Sequence, residues 1–357
     1  MRTKPAKDFA TTFASGFADD EFARRAERIV APAVLDRLPR AAFSPWAEFT
    51  LLFRVLAAAA RHRTLLLFSS RGYLKPELLA AALFGLLPVG WRPTVVFYGE
   101  MYEPSGGVRG TFERLAMRMA KRGIARFVLF SNDEHGPFQE AWGVNGERVT
   151  TCHCFLPEEP STKAPDELPV SEGPYVFSGG SSFREFEPVI DAARLLPSVR
   201  FVIAAAPSSL PPDLPPNVSL GSLERDHYRP LLENAAVVVV PLRTDLRRAA
   251  GMFTYLRAMQ LGKPVIVSDA IAVREYVDDG HTGMVVAPTG EGYATAIARA
   301  LDPANVLAMT AMGEDAAQDV ERRFTIRPYA ARMLGIIDDA RREASKRVAA
   351  SPEVEPS

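Results

Sequence analysis

Between Pro241 and Asp269 the chain reads PLRTDLRRAAGMFTYLRAMQLGKPVIVSD. Arg243, Arg247 and Arg248 gather in a loop that leads to Ala250-Gly251, where a helix opens and runs to about Leu261. A helix that begins behind a small residue presents free backbone N–H groups and the positive end of its dipole, which suits a phosphate. Three arginines on the approach strengthen that reading. An ordinary strand–helix–strand connection with a solvated basic loop is the alternative. Glu100, closing the stretch RPTVVFYGE, is an acid at the C-terminal end of a strand, where ligands of parallel sheets bind; a plain loop position is its other reading. His135, in a short helix after FVLFS, reads as structural. Cys152 and Cys154 in TCHCF alternate along an expected strand with His153 on the opposite face, a pattern for neither a disulfide staple nor a metal site.

These residues need elements to hold them. The run AVVVVPL is a strand covered on both faces, Gly262-Lys263-Pro264 stops the helix behind it, and VIVS is the next strand. The same alternation fills most of the chain. Pro45 to about His62 is a helix, then come RTLLLFSS, ELLAAALFGLL, RPTVVFYGE, a helix to about Arg122, IARFVLFS, EHGPFQEAWGV and ERVTTCHCF. AERIVAPAVL is an edge strand at best because of Pro32, and the first ~25 residues show no clear pattern. After a break the rhythm restarts with YVFSGG, EFEPVIDAARLL, VRFVIAA, NVSLGSL leading to a helix over Tyr228–Asn234, the central stretch, GMVVAP and GYATAIARAL. Such alternation predicts parallel, doubly wound sheets.

The break is LPEEPSTKAPDELPVSEGP, rich in proline and acid, and it divides the chain. The expected domains are 1–160, a linker over 161–173, a second domain over 174–325, a closing helix over 326–347 directed back to the first domain, and a disordered tail over 348–357. At 357 residues and net charge −1, two domains fit and no general attraction to nucleic acid is expected. No apolar run reaches the ~20 residues of a membrane span, and the two closely spaced cysteines suit a reducing cytoplasm.

Several segments, in order, resemble the donor domain of GT-B glycosyltransferases, the large retaining nucleotide-sugar-dependent family (glycosyltransferase family 4-like, glycosyl transferases group 1). They are FSGG, LGSLERDHYRPLLENAAVVVVPL, GMFTYLRAMQLGKPVIVSD, REYVDDGHTGMVV and RFTIRPYAARMLGII; VLFSNDEHGPFQEAWGVNGERV is similar to the end of its acceptor domain. The resemblance implies two Rossmann-like α/β domains facing each other across a cleft, and transfer of a sugar from a nucleotide-diphosphate sugar to a glycan, a lipid-linked or another small acceptor. It implies no metal and no cofactor beyond the nucleotide-sugar itself. Gly179 and Gly180 would let the backbone approach the donor, with Arg184 on the diphosphate. Gly251, Met252, Phe253 and Thr254 would offer N–H groups, aided by Arg248, while Gly221 to Leu223 would line the base. Where relatives carry two glutamates for the donor sugar and ribose, this chain has Ala249 and Arg257, so Arg257 is expected to face the nucleotide and Asp245 is a substitute acid. Where many relatives place a histidine, Tyr98 lies closest, with Glu100 beyond it. A GT-B-shaped protein that binds nucleotide without catalysis, and a sugar-nucleotide epimerase, are the other readings.

One further pattern lies on VRGTFERLAMRMAKRG. Arg114, Arg118, Lys121 and Arg122 share one helical face, with Phe112, Leu115, Ala116 and Met119 on the other. It is either a solvated face opposite a core face or a basic face for an anionic membrane or phosphorylated acceptor.

Overall fold

The structure is a computed structural model and describes residues 7–30, 45–69, 75–99, 103–158 and 173–349. The chain forms two compact units, Met1–His153 with Ile326–Ser357, and Cys154–Thr325. The division thus falls ahead of the proline- and acid-rich stretch. Of that stretch 159–172 lies outside the described residues, as do Glu100 and the tail from 350 onward.

The first unit holds a six-stranded sheet in the order β2-β1-β3-β4-β5-β6, every pair parallel. Its strands are β1 (Phe9–Thr11), β2 (Ala26–Arg28), β3 (Thr64–Phe68), β4 (Thr94–Tyr98), β5 (Ile124–Leu129) and β6 (Val149–Thr151). Its helices are α1 (Asp20–Arg25), α2 (Pro45–Arg61), α3 (Pro76–Leu86), α4 (Gly107–Gly123), α5 (His135–Trp142) and, from the far end of the chain, α12 (Ile326–Ala349). Right-handed crossovers place α2 to α5 on one face of the sheet. Phe97 packs through Phe127 to Phe138 of α5, whereas the adjacent Tyr98 packs on Tyr329 of α12, so the closing helix covers the other face.

Three expectations about this unit change. The opening residues contain β1 and α1, because three buried residues suffice for a strand laid beside β3. The strand expected through Phe155 ends at Thr151, and the buried Cys152 and Cys154 fall on either side of the unit boundary rather than on one strand face. The inner face of α4 is built from Gly110, Glu113, Ala116, Met117, Ala120 and Gly123, while Phe112 and Leu115 are exposed. The helices approach closely here: a Cβ on Gly85 of α3 would stand 2.1 Å from the Met119 carbonyl oxygen and one on Gly123 2.9 Å from the Gly85 nitrogen.

The second unit repeats the plan with the order β12-β11-β10-β7-β8-β9, again all parallel. The strands are β7 (Val176–Gly179), β8 (Phe201–Ala204), β9 (Val218–Gly221), β10 (Val237–Val240), β11 (Val265–Ser268) and β12 (Met284–Val286). The helices are α6 (Glu187–Leu195), α7 (Arg225–Glu233), α8 (Met252–Gln260), α9 (Val273–Tyr276), α10 (Gly290–Leu301) and α11 (Val306–Arg323). Val237–Val240 are fully buried, as a central strand covered by helices on both faces requires. β9 adds an edge strand to NVSLGSL; its exposed Ser219 and Leu220 gave it no buried pattern to read. Among the described residues no helix is long and apolar enough to cross a membrane.

Candidate functional site

The donor-binding residues expected from the sequence gather along one edge of the second sheet, where its strands end. β7 ends at Gly179, which pairs in register with Ala204 on β8, and Ala204 pairs with Gly221 on β9. Gly221 therefore stands two strand spacings from Gly179, roughly 10 Å across the sheet, and the half-exposed Leu223 follows it.

On the other side of β7, the turn after the glycines folds against the loop after β10. Arg184 and Leu242 form an antiparallel bridge, the Glu185 amide donates to the Pro241 carbonyl at 3.0 Å, and the Arg243 amide to Phe183 at 3.1 Å. Two glycines make this junction possible. Gly180 has φ +132 and a Cβ there would lie 3.0 Å from Arg184 Nε; Gly251 has φ +78 and a Cβ there would lie 3.3 Å from Arg184 Nη1. Both positions demand the left-handed region and an open approach to the same guanidinium, which only glycine supplies cheaply. Phe183 also takes a positive φ, +59, and its ring lies 4.8 Å beneath the Arg248 guanidinium.

Arg184 is the chemical centre of this junction. It donates to the Gly179 carbonyl at 3.3 Å, the Ser182 carbonyl at 3.0 Å and Thr254 Oγ1 at 3.0 Å. All three acceptors are neutral, and among the described residues no carboxylate pairs with it. Burial accordingly pulls its pKa below the usual guanidinium value. A partly desolvated cation gains most from an anion that completes its charge. Tyr228 lies beside Thr254, burial pushes its pKa up, and its ring closes over Gly179, where a Cβ would meet it at 2.7 Å.

The start of α8 lies at the same place, behind Gly251. The Thr254 amide, expected to be offered to a phosphate, donates to the Gly251 carbonyl at 2.9 Å, while its hydroxyl accepts from Arg184. Among the described residues the amides of Met252 and Phe253 engage no acceptor, as the first turn of a helix leaves them. Beneath, the Leu242 amide donates to Ser268 Oγ at 2.6 Å, and Ser268 Oγ shares a 2.7 Å bond with the Tyr293 hydroxyl. This buried relay fixes where the loop leaves β10; burial pushes Tyr293 up to about 12. Ser268, Tyr293 and Tyr228 were not expected from the sequence. The serine closing the apolar run VIVS was the one signal available.

Other expected residues make different contacts. Arg257 is half-buried and donates to the Pro157 carbonyl at 2.9 Å and to Gln260 Oε1 at 2.6 Å, tying α8 to the start of its unit. Ala249 is buried, with no carboxylate to offer. Asp245 accepts from Arg243 at 3.0 and 2.5 Å, and that hydrogen bonding holds its carboxyl below the usual range. Tyr98, expected near the chemistry, is instead a core residue: it is 2% exposed and its ring meets Phe13, Phe68, Phe130 and Tyr329 at centroid distances of 5.1–5.9 Å. Glu100 lies outside the described residues. His135 holds Thr151 Oγ1 at 2.8 Å in the first unit.

This arrangement of two parallel sheets with flanking helices is that of the two-domain Rossmann-like GT-B glycosyltransferases. Residues 183–303 match the family Glycosyl transferases group 1. A glycosyltransferase from Rickettsia africae is similar at TM-score 0.65 and 13% identity, covering 94% of this chain and 98% of that one. The sucrose-phosphate synthase of Thermosynechococcus elongatus gives TM-score 0.60 and 15% identity over 91% and 84% of the two chains. HepE from Anabaena, solved with UDP, gives 0.60 and 14% over 94% and 100%. No curated protein matches the sequence at a significant level.

Proposed function

We propose that the protein transfers a sugar, with retention at the anomeric carbon, from a nucleoside-diphosphate hexose to an acceptor hydroxyl. The observation that carries this reading is Arg184, a half-buried guanidinium with neutral partners among the described residues, flanked by Gly180 and Gly251 at the start of α8. In the proposed step the bond between the anomeric carbon and the β-phosphate oxygen breaks, and the diphosphate leaves with the electron pair. Arg184 and the amides of Met252 and Phe253 meet the growing charge, which is the electrostatic form of catalysis. The acceptor oxygen forms the new bond and gives up its proton; Glu100 is the sequence candidate to receive it. Gly221 and Leu223 would border the base. This step assigns no role to a metal, and the protein would act in the cytoplasm on a glycan, lipid-linked or small-molecule acceptor. Other structures of HepE hold UDP with glucose, or UDP-glucose, which makes uridine the first base to test.

A second reading rests on Ala249 and Arg257. With no carboxylate at the first position and the second bonded to Pro157, the site would bind a nucleotide without transferring its sugar. Epimerisation of the bound sugar is a third outcome. One assay separates them: UDP-sugars are incubated with and without a panel of acceptors, and products are followed by NMR. Transfer needs the acceptor and yields UDP with a retained anomer. An epimer formed without acceptor, or thermal stabilisation with no turnover, would contradict transfer.

A further inference from the structure

In the first unit the three helices α2, α3 and α4 pack side by side on one face of the sheet and present a common outer surface. A surface helix ordinarily turns its apolar residues inward. Here α2 buries Ala47, Leu51, Val55 and Ala58, and on its opposite side exposes Trp46, Phe49 and Phe53, spaced i, i+3, i+7. On α4 the exposed apolar residues are Val108, Phe112 and Leu115, spaced i, i+4, i+7, with Val108 88% exposed. Leu83 and Leu86 continue the surface on α3, and Trp91 follows them. Of the three tryptophans in the chain, Trp142 is buried, whereas Trp46 is 81% and Trp91 78% exposed.

Charge on these helices is as one-sided. Every carboxylate they carry, Glu48, Glu77 and Glu113, is buried. The charges at the surface are all cationic: Arg54 and Arg61 on α2, and Arg109, Arg114, Arg118, Lys121 and Arg122 on α4. Arg114, Arg118 and Arg122 make no ion pair among the described residues. The chain as a whole has net charge −1, so this concentration is local.

We infer that this face docks the protein on an anionic phospholipid bilayer, with its aromatic and aliphatic side chains entering the interface and its arginines on the headgroups. Exposed tryptophans beside aliphatic side chains and a basic flank form the composition that settles at a membrane–water boundary. A second copy of the chain is the occupant the charges disfavour, because a two-fold interface brings the same patch onto itself and would set these cations against each other. Attachment would be peripheral, each cation adding to attraction that falls with salt.

The experiment is vesicle co-sedimentation together with intrinsic fluorescence, using phosphatidylcholine vesicles with and without phosphatidylglycerol. The protein should sediment with the anionic vesicles, weakly or not at all with the neutral ones, and less at high salt. Tryptophan emission should shift to the blue on binding, since two of the three indoles lie on the face. The triple variant Arg114→Gln, Arg118→Gln, Arg122→Gln should lower partitioning on the order of 100-fold. Trp46→Ser with Phe53→Ser should abolish the residual binding at high salt. All five positions are exposed, and melting curves check that the variants fold. Equal binding to neutral and anionic vesicles, no binding to either, or a blue shift without lipid that accompanies dimer formation in sedimentation velocity would each overturn the inference.

Discussion

At the scale of single residues, the donor-binding reading depends on Arg184 and on what surrounds it. Gly180, Arg184 and Gly251 come together at one junction, a convergence the glycine turns and the nearby arginine suggested in the sequence. Thr254 was misjudged because its amide closes the first turn of α8, and that depends on the entry angle of the chain at Gly251. Tyr98 was misjudged because a strand residue next to a ligand edge and one facing a covering helix look alike until α12 is placed on the sheet. Two variants belong here. Gly251→Ala should cost about 1–2 kcal/mol of unit stability, from the left-handed φ and the 2.7 Å approach to Leu242 Cδ2, and should also weaken nucleotide binding by displacing Arg184. Denaturant titration and UDP binding of the variant read both effects, and unchanged affinity would separate the glycine from the site. Tyr293→Phe removes a buried partner of Ser268 and should cost about 1–3 kcal/mol; a loss well below that range would mean that the relay does not fix the loop.

At the scale of elements, long apolar runs were read with little error, since β3, β4, β5, β7, β8, β10 and β11 are buried strands between turn signals. β1 and β9 were missed for opposite reasons: one is three residues long, the other exposes the residues that would have shown its pattern. The outward faces of α2 and α4 were not legible either, because amphipathic spacing does not say which apolar stripe meets the sheet. The closing helix α12 is anchored to the first unit by Asp338, which accepts from Arg25 at 2.6 and 3.1 Å, while Arg25 also donates to Asp8 at 2.7 Å. The hydrogen bonds from Arg25 hold the Asp338 carboxyl below its ordinary value. A depressed folded pKa gives stability that is present above the unfolded value and lost as pH falls through the folded one. Asp338→Asn should therefore destabilise the unit at neutral pH by about 0.5–1 kcal/mol, a figure limited by partial exposure. The gap to the native protein should narrow below about pH 4. A gap that stays constant from neutral to acid pH would exclude the ion pair as its source.

At the scale of the whole molecule, the chain builds one parallel sheet plan twice, and the proposed phosphate-binding residues lie in the second copy. A ligand that binds only the folded form stabilises what it touches. Saturating UDP should therefore slow amide exchange in the second unit, around Gly179–Glu185 and Gly251–Thr254, more than in the strands of the first. The claim on which the account rests is that a diphosphate completes the charge of Arg184, and calorimetric titration of native protein and Arg184→Ala with UDP and with uridine tests it most directly. A charge-assisted hydrogen bond contributes roughly 1.5–3 kcal/mol, so the variant should bind UDP about 10- to 150-fold more weakly and uridine almost as the native protein does. Equal losses for UDP and uridine, or no loss for either, would contradict it.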